Sequence, residues 1–332
     1  MKSSKPLVSV VTPCYNGEAY LDAYFHSILS QTYAPLELVL INDGSTDRTD
    51  DIVRRYIPEL EAKGIIFIYI IQENKGQAAA MNSGLKKVTG KYLVWPDADD
   101  WLEPDSIEKR VAFLEENVSY RFVRSNAAFF DYETGEYVCR ASVKENRFSS
   151  DIFEDLILEK TFCFCGCYMI RMDDFKEIYP DMTIFESPAG QNWQMIIPLA
   201  GRHRCGYIDE DLYHIAIRND SHSRHSRTLE ETVKRHLDLK AILIEAVRKS
   251  ARMDADYFGM IDIKYDRILF HTYMDAGAYD RARECCIKLK KRGQLTVEEM
   301  EKYLVRVHPF VFQLYRIKKF LCRSCRAFRQ IK

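Results

Sequence analysis

The sequence predicts an α/β fold: a mainly parallel sheet flanked by helices, followed by a helical C-terminal region. Three observations carry this. Short continuous apolar runs alternate with helical patterns from Leu7 to Trp95. Each run ends in a cluster of polar residues. Beyond Thr228 the strand-like runs stop, and apolar residues recur at three- and four-residue spacing.

The runs Leu7–Thr12, Leu36–Ile41, Ile65–Ile71 and Tyr92–Trp95 read as strands buried on both faces. Helical segments lie between them near Glu18–Gln31, Asp47–Lys63 and Gln77–Val88, and Asp43 to Asp47 offers a turn and a helix cap. This βαβαβαβ order specifies a parallel sheet covered by helices. From Arg121 the pattern turns mixed, with strand-like runs at 122–130, 162–170 and 205–215. Glu230–Lys249, Asp262–Ala276, Tyr279–Lys291 and Val297–Leu304 then read as helices, placing a domain boundary at residue 226.

Apolar residues make up 47% and charged residues 29%, a balance that excludes a disordered chain. No run reaches the length of a membrane span, and the N-terminus has no apolar signal core. Cys163, Cys165 and Cys167 alternate as on one strand face, and Cys322 with Cys325 forms a single C-x-x-C. Neither group has the second pair that a zinc site requires, so the cysteines read as reduced core thiols of a cytoplasmic protein.

Ligands of open α/β sheets bind beyond the carboxyl ends of the strands. There the fourth run delivers Asp97, Asp99 and Asp100. Like charges this close need a cation, and a hard divalent ion such as Mg²⁺ or Mn²⁺ takes one or two carboxylates plus substrate phosphates. The competing reading, an acidic cap for a helix starting near Pro104, is already served by Asp105.

SVVTPCYNGEAYLDAYFHSILSQTY, LVLINDGSTDRT and ENKGQAAAMNSGLKKVTGKYLVWPDADDWLEPD, in this order, resemble the nucleotide-binding half of family 2 glycosyltransferases, inverting enzymes of the GT-A (Rossmann-like) fold. The resemblance implies that Thr12, Pro13, Tyr15 and Asn16 line the nucleotide pocket, with Tyr15 stacked on the base. Asp43 would accept a hydrogen bond from that base, usually uracil, and Asn74 and Gly76 would shape the loop beside it. Asp97 and Asp99 would be the family's Asp-x-Asp, with Asp99 or Asp100 on the metal. Met81 stands where members commonly carry Arg. Gln191-Asn192 stands where members often carry a Glu-Asp pair with the general base, and an amide cannot take a proton. Glu186 becomes the candidate base, with Asp181 and Asp209 behind it. The segment from Asp211 to Arg227 is similar to one that closes the donor site, so Arg218, Ser221 and Ser223 would reach the diphosphate and His214 or His222 the metal.

The expected organisation is a GT-A domain over 1–226 (nucleotide-sugar half 1–105, acceptor half 106–226) and a helical region over 227–332. The expected partners are a UDP-linked sugar donor and a glycan or lipid-linked glycan acceptor. After Glu301 every charge is positive, and on a helix Phe310, Leu314, Ile317 and Leu321 fall on one stripe. Residues 310–332 thus read as a basic amphipathic helix for an anionic membrane, at the inner face of the cell membrane. Nucleic acid is excluded by the acidic remainder of the chain. A haloacid-dehalogenase-type phosphatase would carry Asp-x-Asp on its first strand. A non-catalytic nucleotide-sugar or glycan-binding module would keep the fold without the base. A dehydrogenase would need G-x-G-x-x-G after the first strand.

Overall fold

The computed structural model describes residues 5–142, 145–188, 190–218 and 227–308, together with 310 and 313. The chain divides into two compact units, residues 1–226 with 241–258, and residues 227–240 with 259–332.

The first unit begins as the apolar runs require: β1 (Val8–Cys14), α1 (Leu21–Leu29), β2 (Leu36–Asp43), α2 (Thr49–Ala62), β3 (Ile66–Gln72), α3 (Gln77–Leu85) and β4 (Tyr92–Val94). It continues with β5 (Trp101–Leu102), α4 (Ser106–Glu116), β6 (Phe122–Asp131), β7 (Tyr137–Arg140), α5 (Phe153–Ile157), β8 (Tyr168–Arg171), α6 (Met172–Ile178), α7 (Asn192–Ala200) and β9 (Cys205–Ile217). One sheet in the order β3-β2-β1-β4-β8-β6-β9-β5 holds the strands, and β7 pairs with β6. The β1–β2, β2–β3 and β1–β4 pairs are parallel, whereas β8 joins β4 antiparallel and carries the sheet into its mixed half.

Three local expectations are corrected. The run at 65–71 is the sheet edge, not a doubly buried strand: Ile66 and Ile71 are 51% and 56% exposed, because among the described residues β3 pairs with β2 alone. The run at 162–170 forms a strand from Tyr168 onward; Cys165–Cys167 is a 3-10 turn, so the three cysteines do not share a strand face. That turn forms because Gly166 lies against the Tyr213 ring, where a Cβ would come within 2.1 Å of a ring carbon. Asp105 occupies the N-cap of α4 without a capping side-chain bond and pairs with Lys109 at 2.7 Å instead.

The helical region also differs from a simple cut at residue 226. Its elements are α8 (Leu229–Lys249), α9 (Ala255–Asp275), α10 (Tyr279–Lys291) and α11 (Val297–Val307). Within the first unit, the Arg252 guanidinium donates to both Asp151 oxygens at 3.0 and 2.8 Å, and Lys249 lies over the Tyr179 ring. These contacts explain why 241–258 belongs with the sheet. The second unit has its own core of Phe270, Met274, Ala282, Cys285, Leu289 and Tyr303. A capping box of Thr296 and Glu299 starts α11 there. The eight cysteines of the described residues are all free. No helix among those residues is long and apolar enough to cross a membrane. Most of the basic tail, with Leu314, Ile317, Leu321, Cys322 and Cys325, lies outside the described residues.

Gly166→Ala is expected to destabilise the protein by about 1–3 kcal/mol, the usual cost of overpacking. Tyr213 cannot yield without releasing its bond to Asp100. A denaturant midpoint equal to that of the wild type would contradict this packing account.

Candidate active site

The parallel strands deliver their polar ends to one edge. Asn16, with φ of 49°, follows β1 and bridges to the loop after β2: its Oδ1 accepts from the Thr46 amide at 2.8 Å, and its own amide donates to Ser45 Oγ at 2.9 Å. Tyr15 beside it is 39% exposed, leaving a ring surface open. Asp43 ends β2 at 3% exposure. Its Oδ1 accepts from Gln72 Nε2 at 2.7 Å and the Lys75 amide at 3.0 Å, and its Oδ2 from the Gly76 amide at 2.8 Å. A carboxylate has roughly four acceptor positions, so Asp43 anchors the loop through Asn74 to Gly76 and keeps one position on Oδ2. Gly44, at φ of 72°, lets that loop approach; a Cβ there would meet the Asn74 nitrogen at 2.6 Å.

Thr12 and Pro13 depart from expectation. Both are buried within β1, and Thr12 Oγ1 is engaged with Tyr24 Oη at 2.6 Å and the Pro96 carbonyl at 3.1 Å. Neither exposes appreciable surface at the strand end. Met81 is wholly buried in α3, so a cation at this position would be desolvated rather than offered to a ligand.

The acidic cluster follows β4. Asp97, Asp99 and Asp100 each offer an oxygen, and these lie within 4.8 Å of one another. Asp97 Oδ1 accepts from Gln77 Nε2 at 2.8 Å, and its Oδ2 accepts from the Cys165 thiol at 2.9 Å. Burial first, and then the neighbouring Asp99 charge, push the Asp97 carboxyl up to about 6 in spite of those two donors. Asp100 is turned inward: Tyr213 Oη donates to Oδ2 and the Ala216 amide to Oδ1 at 3.0 Å. Its carboxyl is held well above the usual range by burial and by the Asp99 and Asp97 charges. Asp99 Oδ2 accepts from Arg218 Nη2 at 2.6 Å, and the Arg218 guanidinium lies over the Tyr20 and Tyr132 rings at 4.6 and 5.8 Å. A set of hard oxygen donors, two of them with carboxyls raised first by burial and then by their neighbours' charge, fits a hard divalent cation. Asp97 and Asp99 are the pair placed to hold it, because both are half-buried, whereas Asp100 is buried and turned towards β9.

Glu186 sits in a loop clamped by two amide side chains. Asn82 Oδ1 accepts from the Ile184 amide at 2.8 Å, while its Nδ2 donates to the Ile184 carbonyl at 3.0 Å and to Glu186 Oε1 at 3.2 Å. Gln194 does the same to Phe185, at 2.7 Å in both directions. Of the reserve carboxylates, Asp209 is held by Arg140 and Arg147, and Asp181 accepts from Thr183. His214 is not with the acidic cluster. Its Nε2 lies 2.6 Å from Glu103, and its ring stacks on Trp101. Ser221, His222 and Ser223 lie outside the described residues. Cys165, Tyr213, Gln77 and Asn82 escaped sequence reasoning because each acts across many residues of chain; the one available signal was the run of alternating cysteines.

A parallel sheet ending in an Asp-x-Asp, continued by a mixed half and flanking helices, defines the GT-A class of fold. Residues 9–179 match Glycosyl transferase family 2, and the chain belongs to that family. An uncharacterized glycosyltransferase of Haemophilus influenzae is 38% identical over 128 residues, 39% of this chain and 50% of that protein. Glycosyltransferase GlyA of Streptococcus pneumoniae serotype 4 is 35% identical over 136 residues, 39% of this chain and 19% of that protein. The chain thus spans half or less of the length of these two relatives. Bacillus subtilis EpsE, named as a glycosyltransferase, is 29% identical over 295 residues, covering 88% of this chain and 98% of that protein. Among solved structures, S. aureus TarS 1–349 in complex with UDP-GlcNAc shares the fold at a TM-score of 0.56 and 18% identity, covering 92% of this chain and 80% of that one. Mannosyltransferase PcManGT from Pyrobaculum calidifontis, in complex with GDP-Man and Mn²⁺, does so at 0.52 and 17%, covering 95% and 88%.

The raised Asp97 carboxyl has a consequence for stability. A carboxylate with a folded pKa above its unfolded value lowers stability as pH climbs from the unfolded value, near 3.8, through about 6. Without divalent cation at pH 7.5, Asp97→Asn should therefore melt above the wild type, with the difference shrinking towards pH 4. Added Mn²⁺ should raise the wild-type melting temperature and leave the variant unmoved. Identical melting curves at both pH values would remove the electrostatic account of this cluster.

Proposed function

We propose that this chain is an inverting glycosyltransferase. It would move a sugar from a UDP-linked donor to a hydroxyl of a glycan or lipid-linked glycan, with Mg²⁺ or Mn²⁺ as cofactor, in cell-surface polysaccharide synthesis. The observation that carries this reading is the placement of Asp97 and Asp99 at the end of β4, on the same strand-end edge as Asn16 and Asp43. That edge provides a nucleotide subsite and a metal-diphosphate subsite side by side. The UDP-GlcNAc and GDP-Man held by the two solved neighbours support a nucleotide-sugar donor.

In this reading Tyr15 stacks on the base and the remaining Asp43 acceptor position takes a base N–H. Asp97 and Asp99 hold the cation, which when bound neutralises charge on the departing diphosphate. Arg218, aligned by Tyr20 and Tyr132, adds a fixed positive charge beside Asp99. Glu186 takes the proton from the acceptor hydroxyl as it attacks the face opposite the leaving group, which inverts the anomeric centre. The clamps by Asn82 and Gln194 hold the base at a fixed height, as proton transfer requires.

Thermal shift with UDP-sugars and Mn²⁺ tests the donor site, and Glu186→Gln tests the base. The variant should bind donor as the wild type does and lose turnover by about 10²-fold or more. Normal turnover in Glu186→Gln would move the base elsewhere. A second reading, a non-catalytic nucleotide-sugar-binding module, draws on the amides of Gln191 and Asn192; donor binding without transfer to any acceptor hydroxyl would favour it.

The location at the inner face of the cell membrane rests on the sequence of the tail. Full-length protein should co-sediment with anionic liposomes at low salt and release at high salt. A chain ending at Lys302 should remain in the supernatant; equal sedimentation of the two would remove the tail from membrane contact.

A further inference from the structure

Beside the loop that carries Glu186 lies a cleft of about 220 Å³. Its walls include Tyr179, Asp181, Thr183, Phe185, Glu245 and Lys249, whereas Asp43, Asp97, Asp99 and Asp100 do not border it. All of these walls belong to the first unit, with the end of α8 supplying Glu245 and Lys249. Sites for drug-sized ligands run to roughly 300–1,000 Å³, so this cleft suits a single ring and not a nucleotide-sugar.

The walls are held in place before any ligand arrives. Phe185 is 50% exposed, yet Gln194 fixes its amide and its carbonyl at 2.7 Å each, so a rigid main chain presents the ring to solvent. Tyr179 Oη donates to the Gln194 carbonyl at 2.8 Å, and the Lys249 ammonium stands over the ring at 5.5 Å. Burial, and then the Glu245 and Asp181 charges, push the Tyr179 phenol up, which places both carboxylates near its hydroxyl. Between Asp181 and Thr183, Met182 adopts a φ of 54°, a strained conformation for a residue with a side chain, and Thr183 Oγ1 donates to Asp181.

This combination selects the chemistry of the ligand. A cation would meet Lys249, which already covers Tyr179, and an anion would meet Glu245 and Asp181. A neutral molecule with both O–H and C–H surfaces matches every wall. The carboxylates accept from its hydroxyls, the ammonium donates to its oxygens, and Phe185 covers a C–H face by dispersion. A pyranose has these surfaces. We propose that the cleft is a subsite for one pyranose unit of the acceptor glycan, set apart from the unit whose hydroxyl reacts at Glu186. Phe185 and Glu186 are consecutive, so a chain of sugars stacked on the first has its next unit at the second. This rests on the glycosyltransferase reading above and deepens it: the acceptor is an oligosaccharide, recognised beyond its reacting sugar.

The test uses the full chain with Phe185→Ala and Glu245→Gln, neither of which touches the donor, metal or base residues. Saturation transfer is measured to cellotetraose, maltotetraose, mannotetraose and chitotetraose. The wild type is expected to bind at least one of them, and each variant to weaken that binding by about tenfold, the scale of one charge-assisted hydrogen bond or one aromatic anchor. UDP with Mn²⁺ should raise the melting temperature of all three proteins equally. With UDP and Mn²⁺ bound, paramagnetic broadening should grade along the tetraose from the end nearest the ion. Binding of no tetraose by the wild type, or equal binding by wild type and variants, overturns the proposal. A UDP shift that falls together with tetraose binding also overturns it, because the substitution then acts through the fold. Absence of graded broadening overturns it as well, since the sugar in the cleft would lie off the acceptor path. No UDP shift in any of the three proteins, with tetraose binding still lost in the variants, would instead defeat the donor-site reading and leave the cleft as a sugar site.

Discussion

The first unit depends on one electrostatic constraint: three carboxylates within four residues at the end of a buried strand. Each is neutralised or solvated by a different part of the chain. Gln77 at the start of α3 and the Cys165 thiol hold Asp97. Arg218, at the end of β9, holds Asp99. Tyr213 and the Ala216 amide hold Asp100, so the acidic strand end and β9 are tied together by the charge that would otherwise drive them apart. Gly166 follows from this, since the ring that reaches Asp100 fills the space a side chain would need. Function and fold share these residues. The arrangement lowers the cost of the cluster without abolishing it, as the raised carboxyls of Asp97 and Asp100 record.

The nucleotide edge is built on similar terms. Asp43 keeps one acceptor position because the others hold Gln72 and the backbone of the loop that follows β3. Asn16 fastens the loop after β1 to the loop after β2. A pocket assembled from strand-end loops is only as rigid as the bonds between them, and here those bonds run through the residues proposed to line it. Preorganisation of this kind reduces the ordering cost of binding.

The candidate base belongs to a second framework, centred on α3 and α7. Asn82 and Gln194 fix both backbone groups of successive loop residues, a tighter restraint than a single contact gives.

Much was legible in the sequence. The apolar runs fixed β1, β2 and β4 and the parallel half of the sheet, because a strand covered by helices must be apolar along its length. The polar run ends located Asp43, Asp97 and Asp99, because such strands expose their ends to ligand. Helical spacing found α8 to α11, since those helices bury one stripe each. Tertiary structure decided the rest. It turned Asp100 inward, buried Thr12 and Pro13 within β1, set His214 against Glu103 and assigned 241–258 to the first unit. It also made β3 an edge, which the composition of IIFIYII cannot reveal, and brought Cys165 and Tyr213 to the acidic cluster across long stretches of chain. Periodicity reports whether a residue is buried; what a buried polar group is bonded to depends on which distant segment packs against it, and that is set only when the chain closes.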